Sequence, residues 1–291
     1  MIRVAVISGK GGTGKTVIAA CLSDLNGENA TNADCDVDAA NLELLLEAKN
    51  TEEEPFLGMK KARIDQNECS RCNRCRDVCR FHAIRVFLGE YSIDPIHCEG
   101  CGSCRIICPT RAVSLIPDCT GTLKYSRTRG GPLAHARLRP GAGNSGLLVH
   151  AVKRRATERA GKRKLMVIDG PPGTGCPLIS TLAGTDVVIL VTEPSVSGLH
   201  DAQRLVHVAG KFRPRFFCII NRWDLNPDIS NSIETWCHTE NIPVLGHIPF
   251  DPEVISAVRQ GIPVTRCQGP ASKAIQGAAS KLEIELWPPE K

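Results

Sequence analysis

Eight of the fifteen cysteines in this chain of 291 residues follow one spacing that occurs twice. In each copy, two residues separate each of the first three cysteines from the next, and three residues separate the third cysteine from the fourth. The copies are Cys69, Cys72, Cys75 and Cys79, and then Cys98, Cys101, Cys104 and Cys108. This spacing, with Pro109 after the last cysteine, is typical of thiolate ligation of two [4Fe–4S] clusters. The sequence therefore predicts two such clusters between residues 69 and 108.

Paired cysteines also occur in structural zinc sites and in disulfide frameworks. Structural zinc sites also contain C-x2-C units, but they rarely place three cysteines at this spacing and add a fourth after three residues. A disulfide framework belongs to secreted chains, and a Gly/Lys-rich loop interrupts the apolar residues 1–8 where a signal peptide would continue. We therefore expect a reduced, cytoplasmic protein.

The segment from about Arg63 to Pro117 resembles two-cluster bacterial ferredoxins. In that arrangement the fourth cysteine of each run crosses over to the other cluster. The resemblance therefore implies one cluster on Cys69, Cys72, Cys75 and Cys108, and a second on Cys98, Cys101, Cys104 and Cys79.

Basic residues crowd these predicted ligands. They are Arg71, Arg74, Arg76, Arg80, Arg105 and Arg111. Arg80 also stands where the ferredoxin pattern usually has proline. Positive charge near a cluster favours its reduced, more anionic form, and an ordinary solvated basic face explains the arginines equally well.

A glycine-rich loop near the N-terminus carries a second motif. It follows the apolar run 2–7 and precedes the apolar run 17–20, which is the strand, loop and helix context that G-x-x-x-x-G-K-[ST] requires. The motif consists of Gly9, Lys10, Gly11, Gly12, Thr13, Gly14, Lys15 and Thr16. Its backbone N–H groups would surround phosphates, Lys15 would reach the β- and γ-phosphates, and Thr16 would bind Mg²⁺.

Lys10, directly after the first glycine, resembles the signature lysine of the deviant P-loop in MinD/ParA-type ATPases. That resemblance implies a dimer in which Lys10 reaches the nucleotide of the other subunit. Residues 34–42 resemble the family's switch I, in which Asp36 would position the attacking water. The D-G-P-P-G stretch that begins at Asp169 resembles Walker B and switch II, so Asp169 would hold the magnesium shell and the Gly173 N–H would face the γ-phosphate.

Two later segments resemble the base-binding positions of this family. Asn221 follows the apolar run 216–220, and Pro249 lies in an Ile-Pro-Phe turn. The resemblance implies that they hold adenine. Asn221 to Asp224 also approximates the N-K-x-D motif that reads guanine, with arginine in place of lysine. The family resemblance favours ATP, and GTP stays open.

Nearly the whole chain resembles MinD-superfamily P-loop ATPases with an inserted ferredoxin domain, which include proteins described as cobyrinic acid a,c-diamide synthase-like. Strands that alternate with helical stretches predict an α/β fold with a mostly parallel sheet and helices on both faces. We expect residues 1–62 and 118–291 to form the ATPase domain, and residues 63–117 to form a small α+β bacterial-ferredoxin-like domain.

Two segments would connect this insert to the ATPase domain. A switch I helix at about Asn41–Lys49 and an acidic linker at 51–55 would lead into it, and a Gly-, Pro- and Arg-rich stretch at 118–143 would lead back. The insert would then lie between the two switches, which respond to the γ-phosphate. Two features depart from the family pattern: residues 26–33 are short and polar for a buried parallel strand, and Ala40 replaces the usual proline.

The remaining cysteines carry weaker signals. Cys176 lies at a spacing from Asp169 that resembles the nitrogenase iron protein, where such a cysteine binds a cluster bridging the dimer, but Asn144 stands in place of its companion. Two copies of Cys176 cannot supply four thiolates, so we do not expect a bridging cluster. The other six are expected to act as small apolar residues: Cys21, Cys35, Cys119, Cys218, Cys237 and Cys267.

Net charge and hydropathy indicate whether the chain binds nucleic acid or a membrane. The net charge is +5 and only 4% of residues are aromatic, so we expect the basic run at 153–164 to be a solvated helix face and do not expect nucleic acid as a partner. No apolar run is long enough to span a bilayer. Pro288 and Pro289 would also end a membrane-binding helix at the C-terminus.

These observations predict a dimerising ATPase that binds ATP, Mg²⁺ and two [4Fe–4S] clusters, and whose hydrolysis is coupled to electron transfer or metallocentre maturation. One alternative is an iron–sulfur scaffold or carrier that releases clusters on ATP hydrolysis. Another is a MinD/ParA-like spatial switch with redox-sensing clusters. The expected partners are a second identical subunit or a related ATPase, and an electron-transfer protein or metalloprotein.

Overall fold

The computed structural model describes residues 1–288, which form one large sheet flanked by helices and a smaller unit of short elements. The strands in this part of the chain are β1 (Ile2–Ser8), β2 (Ala30–Asp34), β3 (Lys49–Leu57), β4 (Lys61–Ile64), β5 (Ile84–Phe87), β6 (Glu90–Ile93), β7 (Val113–Ile116), β8 (Cys119–Thr128), β9 (Gly131–Leu138), β10 (Leu165–Pro172), β11 (Val187–Thr192), β12 (Arg215–Asn221) and β13 (Val244–Ile248). The α-helices are α1 (Lys15–Asn26), α2 (Leu42–Leu45), α3 (Arg74–Asp77), α4 (Ser103–Ile107), α5 (Ser145–Glu158), α6 (Cys176–Leu182), α7 (Val196–Ala209), α8 (Pro227–Thr239), α9 (Pro252–Gln260) and α10 (Pro270–Leu286). None of these helices is both long and apolar enough to cross a membrane.

The large sheet has nine strands in the order β13-β12-β11-β1-β10-β2-β9-β8-β3, and its pairs are parallel from β13 to β9. Successive residues of β1 face opposite sides: Val4 and Val6 join one hydrophobic cluster, whereas Ala5 and Ile7 join another. Helices α1 and α10 cover the first side, and α5, α7 and α8 cover the second. A parallel sheet buried in this way on both faces confirms the predicted α/β fold.

Strand β2 is buried along its whole length although its sequence is polar. The side-chain amide of Asn32 donates hydrogen bonds to the carbonyl oxygens of Gly130 at 2.7 Å and Pro132 at 3.2 Å. The Thr31 hydroxyl donates to the carbonyl of Ala156 at 3.4 Å. These bonds satisfy the side-chain donors of Thr31 and Asn32 inside the protein, so the strand tolerates residues that a buried parallel strand usually lacks.

The predicted linkers to the insert were wrong, because both are strands of the large sheet. Residues 51–55 lie in β3, which pairs antiparallel with β8, and the returning segment forms the β8–β9 hairpin. Glutamates of β3 pair with cations of neighbouring elements: Glu53 lies 2.9 Å from Lys124, Glu52 lies 3.0 Å from Arg159, and Glu54 contacts Arg155. An edge strand that looked like an acidic linker is thus stabilised by residues distant in sequence.

The switch I helix is also shorter than predicted. Helix α2 covers only Leu42–Leu45, and the chain enters β3 at Lys49. The basic run at 153–164 lies partly on α5. Arg155 on this helix and Arg159 directly after it both contact β3, and Arg163 lies 2.7 Å from Glu28. Part of that run therefore forms ion pairs within the domain, where we had expected a solvated face.

The smaller unit is built from two equivalent halves. Each half has a strand, a cysteine loop, a short helix and a second strand: β4, α3 and β5 in the first, and β6, α4 and β7 in the second. The halves exchange strands, because β4 pairs with β7 and β5 pairs with β6. Positive φ angles recur at matching positions of the two loops, at Arg71 and Gly100, Asn73 and Gly102, and His82 and Arg111. This unit has its own hydrophobic cluster, which includes Ile64, Ile84 and Val113.

Candidate functional site

The glycine-rich loop lies between the end of β1 and the start of α1, as its motif predicts. Gly12 and Gly14 have φ angles of 80° and 96°, in a region that glycine adopts without steric cost. A Cβ on Gly14 would also lie 2.5 Å from the amide nitrogen of Asn221. That nitrogen donates to the Thr13 carbonyl at 2.8 Å, so the end of β12 is tied to the loop.

Lys15 is nearly buried among carboxylates. Its Nζ lies 2.9 Å from Asp36 Oδ2 and 3.8 Å from Asp169 Oδ1. Burial opposes the positive charge, but the two carboxylates outweigh it, and the pKa of Lys15 is raised. The structure thus brings together three of the residues predicted to act on phosphate and magnesium.

Asp169 stands at the end of β10 with 1% of its surface exposed, and neither carboxylate oxygen has a hydrogen-bond partner within the described residues. Burial raises the pKa of Asp169 to about 6, although Lys15 opposes the shift. A buried carboxylate without donors is costly unless a cation or a protonated group comes near it. This carboxylate could therefore help to hold a divalent cation.

Asp34 organises the turn that follows β2, a function that the sequence did not assign to it. Its carboxylate accepts hydrogen bonds from the backbone N–H groups of Asp36, Asn41 and Leu42 at 3.0 to 3.1 Å. Burial and the neighbouring Asp169 raise the pKa of Asp34. The alternating aspartates at 34, 36 and 38 were the available signal, but the sequence alone did not distinguish the capping residue from the others.

Lys10 is held within its own chain. Its Nζ lies 2.7 Å from Glu193 Oε1 and 3.1 Å from each hydroxyl of Ser195 and Ser197. Arg222 also lies 3.3 Å from Glu193 Oε2. Glu193, which directly follows β11, is thus a partner of the P-loop that sequence reasoning missed.

The Gly173 N–H, predicted to face the γ-phosphate, donates instead to the Ser8 carbonyl at 3.2 Å in this structure. Gly173 has a φ angle of 83°, and a Cβ there would meet no other atom within 4 Å. The backbone around it is therefore open on the side where a side chain would project.

Asn221 and Pro249 line one cavity together with Gly14, Val17 and Phe250. The cavity lies beside the N-terminal end of α1, where a bound phosphate chain would place a base. Asp224 Oδ1 accepts a hydrogen bond from the Phe250 N–H at 2.7 Å. This bond occupies one oxygen of the carboxylate that a guanine-reading motif requires.

The eight motif cysteines gather in two places in the smaller unit. Site one is a cavity lined by Cys69, Cys72, Cys75 and Cys108. Site two is a cavity lined by Cys79, Cys98, Cys101 and Cys104. Each set contains three cysteines of one run and the fourth of the other, which is the crossed grouping that the ferredoxin resemblance implies.

The charges of these thiols influence one another. Burial raises the pKa of Cys75, and its neighbours Cys69, Cys108 and Cys72 raise it further. The same two causes raise the pKa of Cys104. Within residues 1–288, no group of three or more His, Cys, Asp or Glu residues is placed to hold a single metal ion. Around a cubane each thiolate binds a different iron atom, so its four cysteines lie farther apart than those around one zinc ion.

The other cysteines differ in exposure. Cys21, Cys35, Cys218 and Cys237 are buried in the large domain, as expected of small apolar residues. Burial raises the pKa of Cys21 to about 11 and that of Cys35 to about 12. Cys119 is exposed, which contradicts the expectation for that residue.

A model of the CobQ/CobB/MinD/ParA nucleotide binding domain matches residues 4–264. The chain belongs to this family. A protein of Methanocaldococcus jannaschii is 33% identical over 287 residues, which cover 97% of each chain. An iron-sulfur cluster carrier protein of Pyrococcus horikoshii is 28% identical over 139 residues, which cover 43% of this chain and 47% of that protein. The septum site-determining protein MinD of P. horikoshii, solved with Mg-ADP, shares the fold with a TM-score of 0.61 at 19% identity, covering 98% of this chain and 97% of that one.

Family membership makes the large domain a P-loop nucleotide-binding domain of the MinD/ParA type. The MinD likeness extends over nearly the whole length of the chain, but at this identity it concerns the fold alone. The similarity to the cluster carrier is confined to less than half of the chain.

Proposed function

We propose that this chain is an ATP-hydrolysing iron–sulfur protein whose nucleotide cycle controls electron transfer through two [4Fe–4S] clusters. The observation that carries the proposal is the gathering of eight cysteines into two sets of four, in a unit joined to the switch I side of the nucleotide domain. Membership of the MinD/ParA family supports the nucleotide half of the proposal.

In the proposed hydrolysis, Lys15 offsets charge on the β- and γ-phosphates, and Lys10 does the same from the second subunit of a dimer. The γ-phosphate would compete with Asp36 for Lys15, because Lys15 Nζ and Asp36 Oδ2 are only 2.9 Å apart. Asp36, once released, would orient the water that attacks the γ-phosphate, and ADP and phosphate would leave. Bound Mg²⁺ would neutralise phosphate charge, with Thr16 and the buried Asp169 holding its shell.

The two cysteine sites fit iron–sulfur clusters in number and kind of ligand. Site one offers four thiols from both halves of the repeat, and site two offers the other four. All eight cysteines are free of disulfide bonds. Bound clusters would supply one-electron carriers, and hydrogen bonds and nearby charges would set their potentials.

A continuous set of backbone contacts supports coupling between the nucleotide and the clusters. The Val37 carbonyl in switch I accepts a hydrogen bond from the Leu138 N–H at 3.0 Å, at the end of β9. Leu138 pairs with Gly121 of β8, and Cys119 of the same strand pairs with Leu57 of β3. The smaller unit leaves the sheet after β3 and returns at β8, so we expect a shift of switch I to move the strands that carry it.

The test is a redox titration of the purified protein with and without a non-hydrolysable ATP analogue. Coupling predicts a shift in cluster potential, and a tenfold difference in nucleotide affinity between redox states corresponds to about 59 mV for one electron. Lys15→Ala is the control, because an analogue that does not bind cannot shift the potential. Superimposable titrations, together with equal nucleotide affinity in both redox states, would contradict the coupling.

A second candidate function is supported by the partial similarity to an iron-sulfur cluster carrier protein. In that case the clusters would be cargo and ATP hydrolysis would accompany their release. Incubating the loaded protein with an apo-ferredoxin and measuring the recipient's cluster content distinguishes the two functions. Stoichiometric transfer that depends on ATP would favour the carrier, whereas retained clusters would favour electron transfer.

A further inference from the structure

The two cysteine sites come from equivalent halves of a repeat. Basic residues adjoin site two as well, because Arg80 follows Cys79 and Arg105 follows Cys104, but three matched positions differ in charge between the two sites. Three residues that line site one, Ser70, Asn73 and Thr110, are each followed by an arginine. These arginines are Arg71, Arg74 and Arg111. The matching positions of the repeat beside site two are Gly100, Ser103 and His82. The φ angles are similar at two of the three matched pairs. Arg71 and Gly100, and Arg111 and His82, all have φ angles between 50° and 64°.

These three arginines, the arginine rim, are exposed and form no ion pair with any residue between 1 and 288. Some arginines of the large domain also lack an acidic partner among residues 1–288, namely Arg3, Arg127, Arg137, Arg204, Arg213 and Arg259. Others are paired. Acidic partners are present for Arg129, Arg139, Arg155, Arg159, Arg163, Arg215, Arg222 and Arg266. The rim therefore presents three positive charges at the surface without an ion-pair partner among residues 1–288.

An apolar turn adjoins the rim. A Cβ on Gly89 would lie 3.8 Å from Nη1 of Arg71, which places the β5–β6 turn beside that guanidinium. Phe87 and Leu88 in this turn are 74% and 87% exposed. Tyr91, which follows the turn and lines site one, donates its hydroxyl to the Arg71 carbonyl at 3.4 Å. Exposed apolar side chains bordered by unpaired charge are typical of a protein interface.

We propose that the arginine rim and the apolar turn at Phe87 and Leu88 form the docking surface for an acidic electron-carrier protein. This inference rests on the proposed function, because it gives site one the role of exchanging electrons with the partner. Opposite charge would steer the partner toward site one and speed its association. Site two, which lacks the rim, would exchange electrons with site one.

The internal repeat supplies the test variant. Arg71→Gly, Arg74→Ser and Arg111→His together give site one the residues that site two already carries at the same positions. The control is Arg259→Gln, Lys273→Gln and Lys281→Gln, which removes three exposed basic residues from α9 and α10. Both triple variants lower the net charge equally, so a difference between them reports on the rim.

The probe is an acidic flavodoxin in its oxidised form, and its affinity for the oxidised protein is measured by calorimetry over a range of salt concentrations. We expect binding that weakens with added salt, and a loss of affinity of about tenfold at low salt in the rim variant. The control variant should bind nearly as well as the wild type. In a separate assay, the rate at which the oxidised, cluster-loaded protein oxidises reduced flavodoxin should follow the same order.

Equal affinity of the rim variant and the wild type would overturn the proposal, and so would an equal loss in the control variant. A mixed-sequence DNA duplex that displaces the flavodoxin from the rim would assign the surface to nucleic acid instead. Iron and sulfide analysis of the purified protein shows whether the docking surface alone is wrong or whether the proposed function is wrong as well. A protein that carries both clusters but ignores the flavodoxin refutes only the docking surface.

Discussion

Lys10 Nζ lies 2.7 Å from Glu193 Oε1, so the lysine that resembles the family's cross-subunit residue is paired inside its own chain. The two side chains are 32% and 22% exposed. A pair in such a position contributes about 0–1 kcal/mol, because water and salt screen it. A weak internal pair suits a lysine that must exchange one carboxylate for the phosphates of a second subunit.

Glu193→Gln should therefore favour the dimer. Removing the carboxylate lowers the cost of releasing Lys10, and we expect dimerisation in the presence of an ATP analogue to tighten by up to about fivefold. Sedimentation velocity over a concentration series measures the change. Lys10→Ala serves as the matched control and should weaken the dimer. An unchanged dimer constant in Glu193→Gln would mean that the pair does not restrain Lys10.

Lys15→Ala should abolish most nucleotide binding. The variant loses the phosphate contact and leaves Asp36 and Asp169 near the phosphates with no cation to offset them. We expect nucleotide affinity to fall by at least about tenfold in a titration with fluorescent ATP. Retained affinity would show that the P-loop backbone alone supplies the binding energy.

Asp36→Ala should separate binding from turnover. Asp36 is an anion and offers the phosphates no donor, so affinity should persist, while loss of the water-orienting carboxylate should lower phosphate release by about 100-fold or more. The exposed Asp38, two residues later in the same segment, provides the control, and Asp38→Ala should hydrolyse ATP at nearly the normal rate. Equal rates in the two variants would remove Asp36 from the proposed mechanism.

The sequence predicted best what depends on local spacing. The P-loop lies between a strand and a helix because glycines, an apolar strand and a helix-forming run are contiguous in the chain. The cysteine grouping was also predictable, because the two runs repeat one local structure and the ferredoxin resemblance supplied the crossing. Within the P-loop and within each cysteine run, the residues that decide the local geometry lie within a few positions of one another.

Contacts between distant residues set the limits of prediction. Nothing near Glu52 indicates a strand, since its partner Arg159 follows more than a hundred positions later. Strand β2 looked too polar because the carbonyl groups that receive the Asn32 amide belong to a hairpin far along the chain. Glu193 was missed for the same reason, since only the folded sheet brings β11 beside the P-loop.

Because of His135, we expect the folded protein to lose stability in mild acid. Burial and the charge of Lys124 lower its pKa to about 4, although Glu53 opposes the shift. The ring lies 2.9 Å from the Ser126 hydroxyl and 3.2 Å from Glu43. Between about pH 6.5 and pH 4 the unfolded chain binds a proton that the folded chain does not, so stability falls as the pH falls. The slope contributed by this group is at most about 1.4 kcal/mol per pH unit.

Thermal unfolding at a series of pH values measures this effect. The melting temperature of the wild type should fall more steeply between pH 6.5 and 4.5 than that of His135→Gln, which cannot bind the proton. His97, an exposed histidine beside Asp94, offers the comparison, and His97→Gln should keep the wild-type slope. Parallel profiles for the wild type and His135→Gln would show that this histidine does not control the acid transition.

The two cysteine sites should lose metal independently. Anaerobically purified protein should contain about eight iron and eight acid-labile sulfide per chain, with broad absorption near 400 nm, about half of it from each site. Cys75→Ser at site one and Cys104→Ser at site two should each lower the iron and sulfide content toward about half. The buried Cys237 lies in the large domain, so Cys237→Ser should leave both contents unchanged.

The grouping of the cysteines is tested by the fourth residue of each run. Cys79 lines site two and Cys108 lines site one, so Cys79→Ser should resemble Cys104→Ser, and Cys108→Ser should resemble Cys75→Ser. Paramagnetic resonance of the reduced variants distinguishes the surviving cluster, because the arginine rim borders only site one. A Cys79→Ser spectrum that matches Cys75→Ser would mean that each run binds its own cluster. Zinc without sulfide in the wild type would rule out clusters at both sites.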